Sequence, residues 1–325
     1  MLWVRGSRKR RRIEGIESVW LDRERHNMVA RSLILASAML TPHTAVAQER
    51  IIDVHQHAVP ALFWGTPNPP WFESMPPRAE NDEELISATL AAMDQFNVVM
   101  AVFSGSREWV DRWHGRDPDR VLRGSNFASR CGEGRLAQLR ELHADLGYEV
   151  MGEISWQWAG IPPDDPGVEA CFALAAELDV PMGIHLGLGF PGASSWSGYR
   201  ADVGHPLLLE PMLIKHPGAR VYVMHAGWPL IEETIALMHS HPQVYADLSL
   251  INWLIPRDAF HDALRRLMDA GLGDRLMYGS DAGVWPDAIA ASIESIQAAS
   301  FLSDDERDAI FFDNAVRFLG IREER

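Results

Sequence analysis

Two histidines one residue apart, His55 and His57, close the stretch Ile51-Ile52-Asp53-Val54-His55-Gln56-His57. On a β-strand, residues i and i+2 face the same side, so both imidazoles can aim at one point. Neutral imidazole is the commonest side-chain ligand for zinc and similar divalent metals. Asp53 has the same parity one step deeper, where it could orient a ligand or hold packing. Other metal-competent side chains end apolar runs further along: Glu153 in Gly152-Glu153, His185 in Gly183-Ile184-His185, His225 in Met224-His225-Ala226-Gly227 and Asp281 in Gly279-Ser280-Asp281. Taken singly, each has a plain structural reading, as a core histidine with its bonds satisfied, a turn residue or a helix cap. Taken together, they point to a metal centre if the fold brings those ends to one mouth.

The pattern around them supplies such a fold. Apolar runs at 51–57, 98–103, 121–124, 148–154, 180–185, 221–225, 244–247 and 275–280 read as strands, and helical spacing fills most intervals between them. The predicted helices run from Asn81-Asp82 to about Phe96, then over 107–114, 134–146, 165–178, 206–216, 230–239, 257–270 and 286–299. Ser303 and Glu306 then form a capping box for a terminal helix that ends near Gly320. Repeated β-α units imply parallel strands with right-handed crossovers, and eight units in this length predict a (β/α)8 TIM barrel with an extra C-terminal helix. The alternative, a doubly wound open sheet, wants a Gly-rich phosphate loop after the first strand, where His55-Gln56-His57-Ala58-Val59-Pro60 stands instead. Barrel sites lie at the C-terminal strand ends, where all six candidate residues fall. The Pro- and aromatic-rich segment Ala58 to Arg78 is too long for a simple connection and predicts a loop over the site.

Composition narrows the function. The chain has 325 residues, 47% of them hydrophobic, enough for a sizeable core, and no apolar run long enough to span a bilayer. Residues 1–47 read differently from the rest. Arg8-Lys9-Arg10-Arg11-Arg12 is a bare charge run, while 28–47 carries a basic start, the apolar stretch Ser32 to Leu40 and the small-residue ending Ala45-Val46-Ala47. That is the pattern of a signal peptide, and it predicts a periplasmic or secreted protein with residues 48–325 as one barrel domain. Residues 48–325 hold 21 basic and 41 acidic side chains, a formal charge of −20. Such a surface disfavours nucleic acid and anionic membranes. The expected partner is a small-molecule substrate, and a homo-oligomer stays open. Cys131 and Cys171 are the only cysteines; they could pair, and Cys171 sits in an apolar helical pattern that suits burial.

With these motifs in order, the chain resembles the amidohydrolase superfamily, in the amidohydrolase-related group that includes aminocarboxymuconate semialdehyde decarboxylase. The matching pieces are Asp53-Val54-His55-Gln56-His57, Gly183-Ile184-His185, Met224-His225-Ala226-Gly227, Tyr278-Gly279-Ser280-Asp281 and Asn314-Ala315-Val316-Arg317-Phe318-Leu319-Gly320. The resemblance implies that His55, His57, His185 and Asp281 hold a divalent metal, with zinc the expected ion, and that His225 acts beside it as acid/base or polarises the substrate. Many superfamily members bridge two metals with a carboxylated lysine on the fourth strand. The only lysines here are Lys9 and Lys215, and Glu153 occupies that position. It is expected to bridge a second metal, contact substrate or stabilise the barrel end.

The resemblance implies two chemistries. In the first, metal-activated water attacks an amide, ester or lactone carbonyl, with Asp281 taking the proton. The runner-up is non-oxidative decarboxylation with the same residues, and fold alone does not decide between them. Decarboxylation of a carboxylated aromatic calls for an arginine on the carboxylate, and Arg107 and Arg200 are the best placed. Trp64, Trp71, Trp156, Trp158, Trp196, Trp228, Trp253 and Trp285 all follow strands, which predicts a partly apolar substrate, with about half of them reaching solvent or ligand.

Overall fold

The computed structural model describes residues 49–65, 78–187, 189–190, 192–195 and 198–322. The predicted signal peptide, Trp71, Trp196 and most of the segment from Ala58 to Arg78 lie outside the described residues. Among the described residues eight strands pair in sequence order, every ladder parallel: β1 Ile51–Ala58, β2 Val98–Gly105, β3 Val121–Phe127, β4 Val150–Ile154, β5 Met182–His185, β6 Val221–Met224, β7 Val244–Asp247 and β8 Leu276–Met277. Between and after them run α1 Asp82–Gln95, α2 Arg107–His114, α3 Glu133–Arg140, α4 Glu169–Leu178, α5 Glu210–Lys215, α6 Ile231–Ser240, α7 Ile251–Leu254, α8 Arg257–Asp269, α9 Asp287–Gln297, α10 Asp304–Asp308 and α11 Asn314–Leu319. This is the predicted (β/α)8 barrel. The predicted caps are present too: the Asn81 side chain accepts from the Glu84 N–H, and Ser303 and Glu306 complete their capping box.

Strand alternation separates two buried layers. Ala101, Phe103, Met151, Ile184, Val221 and Val223 face the helices. Ile52, Val54, Val102, Val150, Tyr222, Met224 and Met277 fill the barrel interior, where Phe312, Ala315 and Phe318 of the C-terminal helical segment join them. That segment therefore caps one end of the barrel and leaves the other for chemistry.

Several predicted elements come out shorter. The strand expected over 275–280 keeps ladder geometry only at Leu276–Met277. Its last residues bond elsewhere: the Tyr278 N–H donates to the Ile310 carbonyl and the Ser280 N–H to Asp53 Oδ1. The helix expected over 206–216 begins as a 3-10 turn, Pro206–Leu209, before α5. The seam between β1 and β8 is closed by single bonds, from Val54 N–H to the Tyr278 carbonyl and from Asp281 N–H to the His55 carbonyl. Asp53 completes that seam. Its buried carboxylate accepts from the Ser280 N–H and hydroxyl, the His55 N–H and the Gln56 side chain. Of the two roles its sequence position allowed, the bonds it makes are those of packing.

The π-helical turn Glu141–Asp145, which follows α3, carries a buried histidine. His143 Nδ1 donates to the Tyr148 carbonyl at 2.8 Å, and its Nε2 faces Ser125 Oγ at 2.9 Å. Burial lowers its pKa from 6.5 to about 4. The unfolded chain therefore binds a proton near pH 6.5 that the folded chain refuses until about pH 4. Stability should be full above the higher value and fall by about 3 kcal/mol as pH drops through that window. Melting curves of the wild type and His143→Gln from pH 7 to 4 check this, the variant losing visibly less on acidification. Parallel curves would contradict it.

Candidate metal centre

The strand ends bring the six predicted residues to one mouth by breaking regular alternation at four places. Between Asp53 and Gln56 the β1–β2 register shifts by one residue, and this bulge turns His55 and His57 inward although Ile52 and Val54 already face in. A second shift, between Met151 and Ile154, places Glu153. His225 and Asp281 have left-handed backbones, φ 57° and 51°, a conformation that costs non-glycine residues energy and recurs at functional sites.

His57 Nε2 lies 2.9 Å from Asp281 Oδ1 and 3.3 Å from Glu153 Oε2. His55 Nε2 points at the same Asp281 oxygen from 3.9 Å. The other Glu153 oxygen meets His185 Nδ1 at 2.5 Å, and His225 Nε2 stands 3.0 Å behind that nitrogen. Glu153 thus touches two candidate ligands on opposite sides. His225 is fully buried behind His55 and His185 and does not line the cavity above.

Asp247 and Ser249, absent from the sequence-based site, hold the histidines from behind. His55 Nδ1 donates to Asp247 Oδ2 at 3.0 Å, and the Ser249 hydroxyl donates to Asp247 Oδ1 at 2.7 Å. His225 Nδ1 lies 3.2 Å from the Ser249 carbonyl and 3.0 Å from its hydroxyl oxygen. An Nδ1–H on each ring leaves the Nε2 lone pairs of His55 and His225 aimed into the site. Their signal in sequence is an aspartate ending the seventh strand, the same position as the candidate residues of the other strands.

These residues fit a bound cation. His55 Nε2 is buried with no hydrogen-bond partner among the described residues, the kind of orphan a metal satisfies. His55, His57 and Glu153 each offer a ligand atom, all within 4.8 Å of one another, and so do Glu153, His185 and His225. The charge balance agrees. Burial pulls the His55 pKa down, yet Asp281 and Asp247 outweigh it and raise it to about 10. His57 is raised as well: burial opposes the shift, and Asp281 and Glu153 drive it. Burial works against ionising Glu153 and Asp281, but the neighbouring histidines hold both carboxyls below their ordinary range. The buried carboxylates of Asp247 and Glu153 and the partly buried one of Asp281 therefore create a demand for positive charge, which a dication meets with the imidazoles neutral. His225 goes the other way. Burial and then the neighbouring His185 and His55 lower it to about 4, so it is neutral at pH 7.

Above this cluster opens a cavity of about 320 Å³. His57, Glu153, His185 and Asp281 form its polar floor, and Trp64, Trp158, Trp253, Trp285 and Phe190 line its walls. The rings touch in series: Trp158 stacks on Phe190 at 4.8 Å, Phe190 meets Trp64 at 5.2 Å, and Trp253 lies 6.0 Å from Trp285. Of the six predicted tryptophans among the described residues, four therefore line the cavity. Trp156 is buried, its Nε1–H on the Ser129 carbonyl, and Trp228 packs against the core.

A family model described as amidohydrolase matches residues 52–321. The chain belongs to the amidohydrolase family. The family typically uses a divalent metal. Protein fluG of Emericella nidulans is 24% identical over 115 residues, covering 35% of this chain and only 13% of fluG. Among solved structures, an uncharacterized TIM-barrel protein of Bordetella bronchiseptica matches with TM-score 0.67 at 18% identity, covering 83% of this chain and 98% of that one. A probable 2-pyrone-4,6-dicarboxylic acid hydrolase of Acinetobacter baumannii gives 0.60 at 14% identity, over 84% and 100%. A 2,6-dihydroxybenzoate decarboxylase of Rhizobium gives 0.59 at 16% identity, over 84% and 99%. At these identities the likeness speaks for the barrel. The amidohydrolase neighbours include both a hydrolase and a decarboxylase at nearly the same TM-score.

Proposed function

We propose that this amidohydrolase is a metal-dependent hydrolase acting on a neutral carbonyl, as an amide, ester or lactone, of a small and partly aromatic substrate. The observation that carries this reading is the charge of the cavity lining. Among the described residues, no arginine or lysine lines it. Residues 66–77, 188, 191, 196 and 197, outside the described residues, contain no basic residue in sequence. The two arginines best placed in sequence are engaged elsewhere. Arg107 pairs with Glu141 and Asp111, and Arg200 pairs with Asp202, all exposed. At the reacting end, the carboxylate of the decarboxylase alternative's aromatic substrate would find only the metal to hold its charge.

In this reading His55, His57, His185, Asp281 and Glu153 hold the metal, and their imidazole and carboxylate donors suit zinc. A divalent cation there supplies a Lewis acid for the carbonyl oxygen and lowers the pKa of its water to about 7. Asp281, on the cavity floor, accepts the proton of the attacking water and returns it to the leaving group. His225 keeps its neutral Nε2 toward His185 and acts as a proton or hydrogen-bond acceptor from behind. The indole walls orient the substrate ring and exclude water, which strengthens every charge interaction on the floor. Export, to the periplasm or outside the cell, belongs to the same proposal. The disulfide between Cys131 and Cys171 supports it, because such bonds persist in oxidising compartments.

The test is a panel of aryl esters and lactones beside benzoates bearing the same rings, run in oxygen-18 water with the metal-loaded protein. Turnover of the neutral carbonyls, with label in the acid product, is expected. Carbon dioxide release as the main reaction would contradict the proposal.

A further inference from the structure

Behind β3 lies a second cavity, of about 190 Å³, outside the barrel and under α3. Gly105, Ser106 and Asn126 line both cavities, and Ser106 and Asn126 are exposed, so the two spaces share one lip. The second cavity differs in character. Arg135, Gln138, Asn126 and Ser106 line it, with Arg107 at its outer side. Arg107 is already balanced by Glu141 at 2.9 Å and Asp111 at 3.5 Å. Arg135 is not balanced. Its Nε donates to Ser129 Oγ at 2.9 Å and one Nη to Gln138 Oε1 at 2.7 Å, while the guanidinium rides 5.2 Å above the Phe127 ring. All three partners are neutral, and among the described residues no carboxylate forms an ion pair with it. A guanidinium has five N–H donors, so three remain for a ligand in an orientation already fixed by packing.

We propose that this annex binds a carboxylate at the end of the substrate remote from the reacting carbonyl, with Arg135 as its anchor and Asn126 and Ser106 as hydrogen-bond donors at the lip. The substrate class is then an acid-tailed aromatic ester, amide or lactone: neutral at the metal, apolar between the indoles, anionic at its far end. The tail is a carboxylate of the substrate itself, since the annex opens onto the reaction cavity. This inference rests on the hydrolase reading for the chemistry at the metal end, but its test needs no turnover.

The probes are two phenyl-bearing hydroxamates that differ only in the far end, one a carboxylate and the other its primary amide. The hydroxamate takes the metal end in both, so the ratio of their affinities reads the annex alone. Calorimetry on the metal-loaded full chain should show the acid bound about tenfold or more tightly, the worth of one charge-assisted hydrogen bond or more. In Arg135→Gln the ratio should collapse to about one, and Arg135→Lys, which keeps the charge without the fork, should keep part of it. A ratio near one in the wild type, or an unchanged ratio in Arg135→Gln, would overturn the annex. If Arg135→Gln fails to fold, the wild-type ratio and Arg135→Lys still decide. Failure of the hydrolase reading would appear instead in the labelled-water experiment, with this ratio untouched.

Discussion

Replacing Asp281 by asparagine is expected to lower kcat/KM by roughly 10³-fold, the combined loss of a metal ligand and a proton acceptor, with the fold kept. The substitution isolates chemistry for a structural reason. Asp281 sits at φ 51°, where asparagine is among the best-tolerated residues, and its backbone N–H keeps its bond to the His55 carbonyl. The amide has the carboxylate's shape, so the cavity floor keeps its volume. What changes is the charge facing His57 Nε2 at 2.9 Å and His55 Nε2 at 3.9 Å. Steady-state kinetics on an ester hydrolysed by the wild type measures the effect, and a melting curve shows that the variant is folded. A folded variant with activity within tenfold of wild type would remove Asp281 from the mechanism.

The second large effect is predicted at a residue that does not line the cavity. Asp247 accepts from four donors: His55 Nδ1, the Ser249 hydroxyl, and the N–H groups of Ser249 and His225. Asp247→Ala removes the acceptor of all four in a fully buried place and leaves His55 Nδ1 only the Ser249 hydroxyl oxygen at 2.8 Å, which should cost about 3 kcal/mol or more. Asp247→Asn is the sharper probe. If its NH2 turns toward His55, Nδ1 must accept, the ring proton moves to Nε2, and the lone pair meant for the metal is gone. Metal affinity should then fall by about 10–100-fold while stability falls less than in the alanine variant. Competition with a fluorescent chelator measures the affinity. Unchanged metal affinity in Asp247→Asn would mean that the carboxylate serves packing alone.

These two residues also show how far the sequence could be read. Asp281 was legible because barrel sites collect at strand ends, and the eight apolar runs located those ends. The histidine pair was legible for its spacing, although the reason it works differs from simple alternation. The bulge between Asp53 and Gln56 sends His55 and His57 inward and leaves Asp53 on the seam to Ser280, so one parity does not hold all three. Bulges and left-handed residues such as His225 are set by neighbours across the sheet, and no local pattern announces them. Asp247 and Ser249 were missed for the same reason, because their roles exist only through contact with His55, 192 and 194 residues away in sequence. Arg135 carries no signal in sequence either, since it is Phe127 and Ser129, from outside its helix, that hold it. The helix expected over 134–146 ran through Glu141–Asp145, where a π-helical turn places His143 against Ser125 instead.

The central claim is that a divalent metal, held by His55, His57, His185, Asp281 and Glu153, makes the catalyst. The most direct test is plasma mass spectrometry of the purified protein, paired with activity before and after chelation and after metal return. At least one divalent ion per chain is expected, with activity that disappears when it is removed and recovers on adding zinc. Full activity in protein stripped of metal would contradict it.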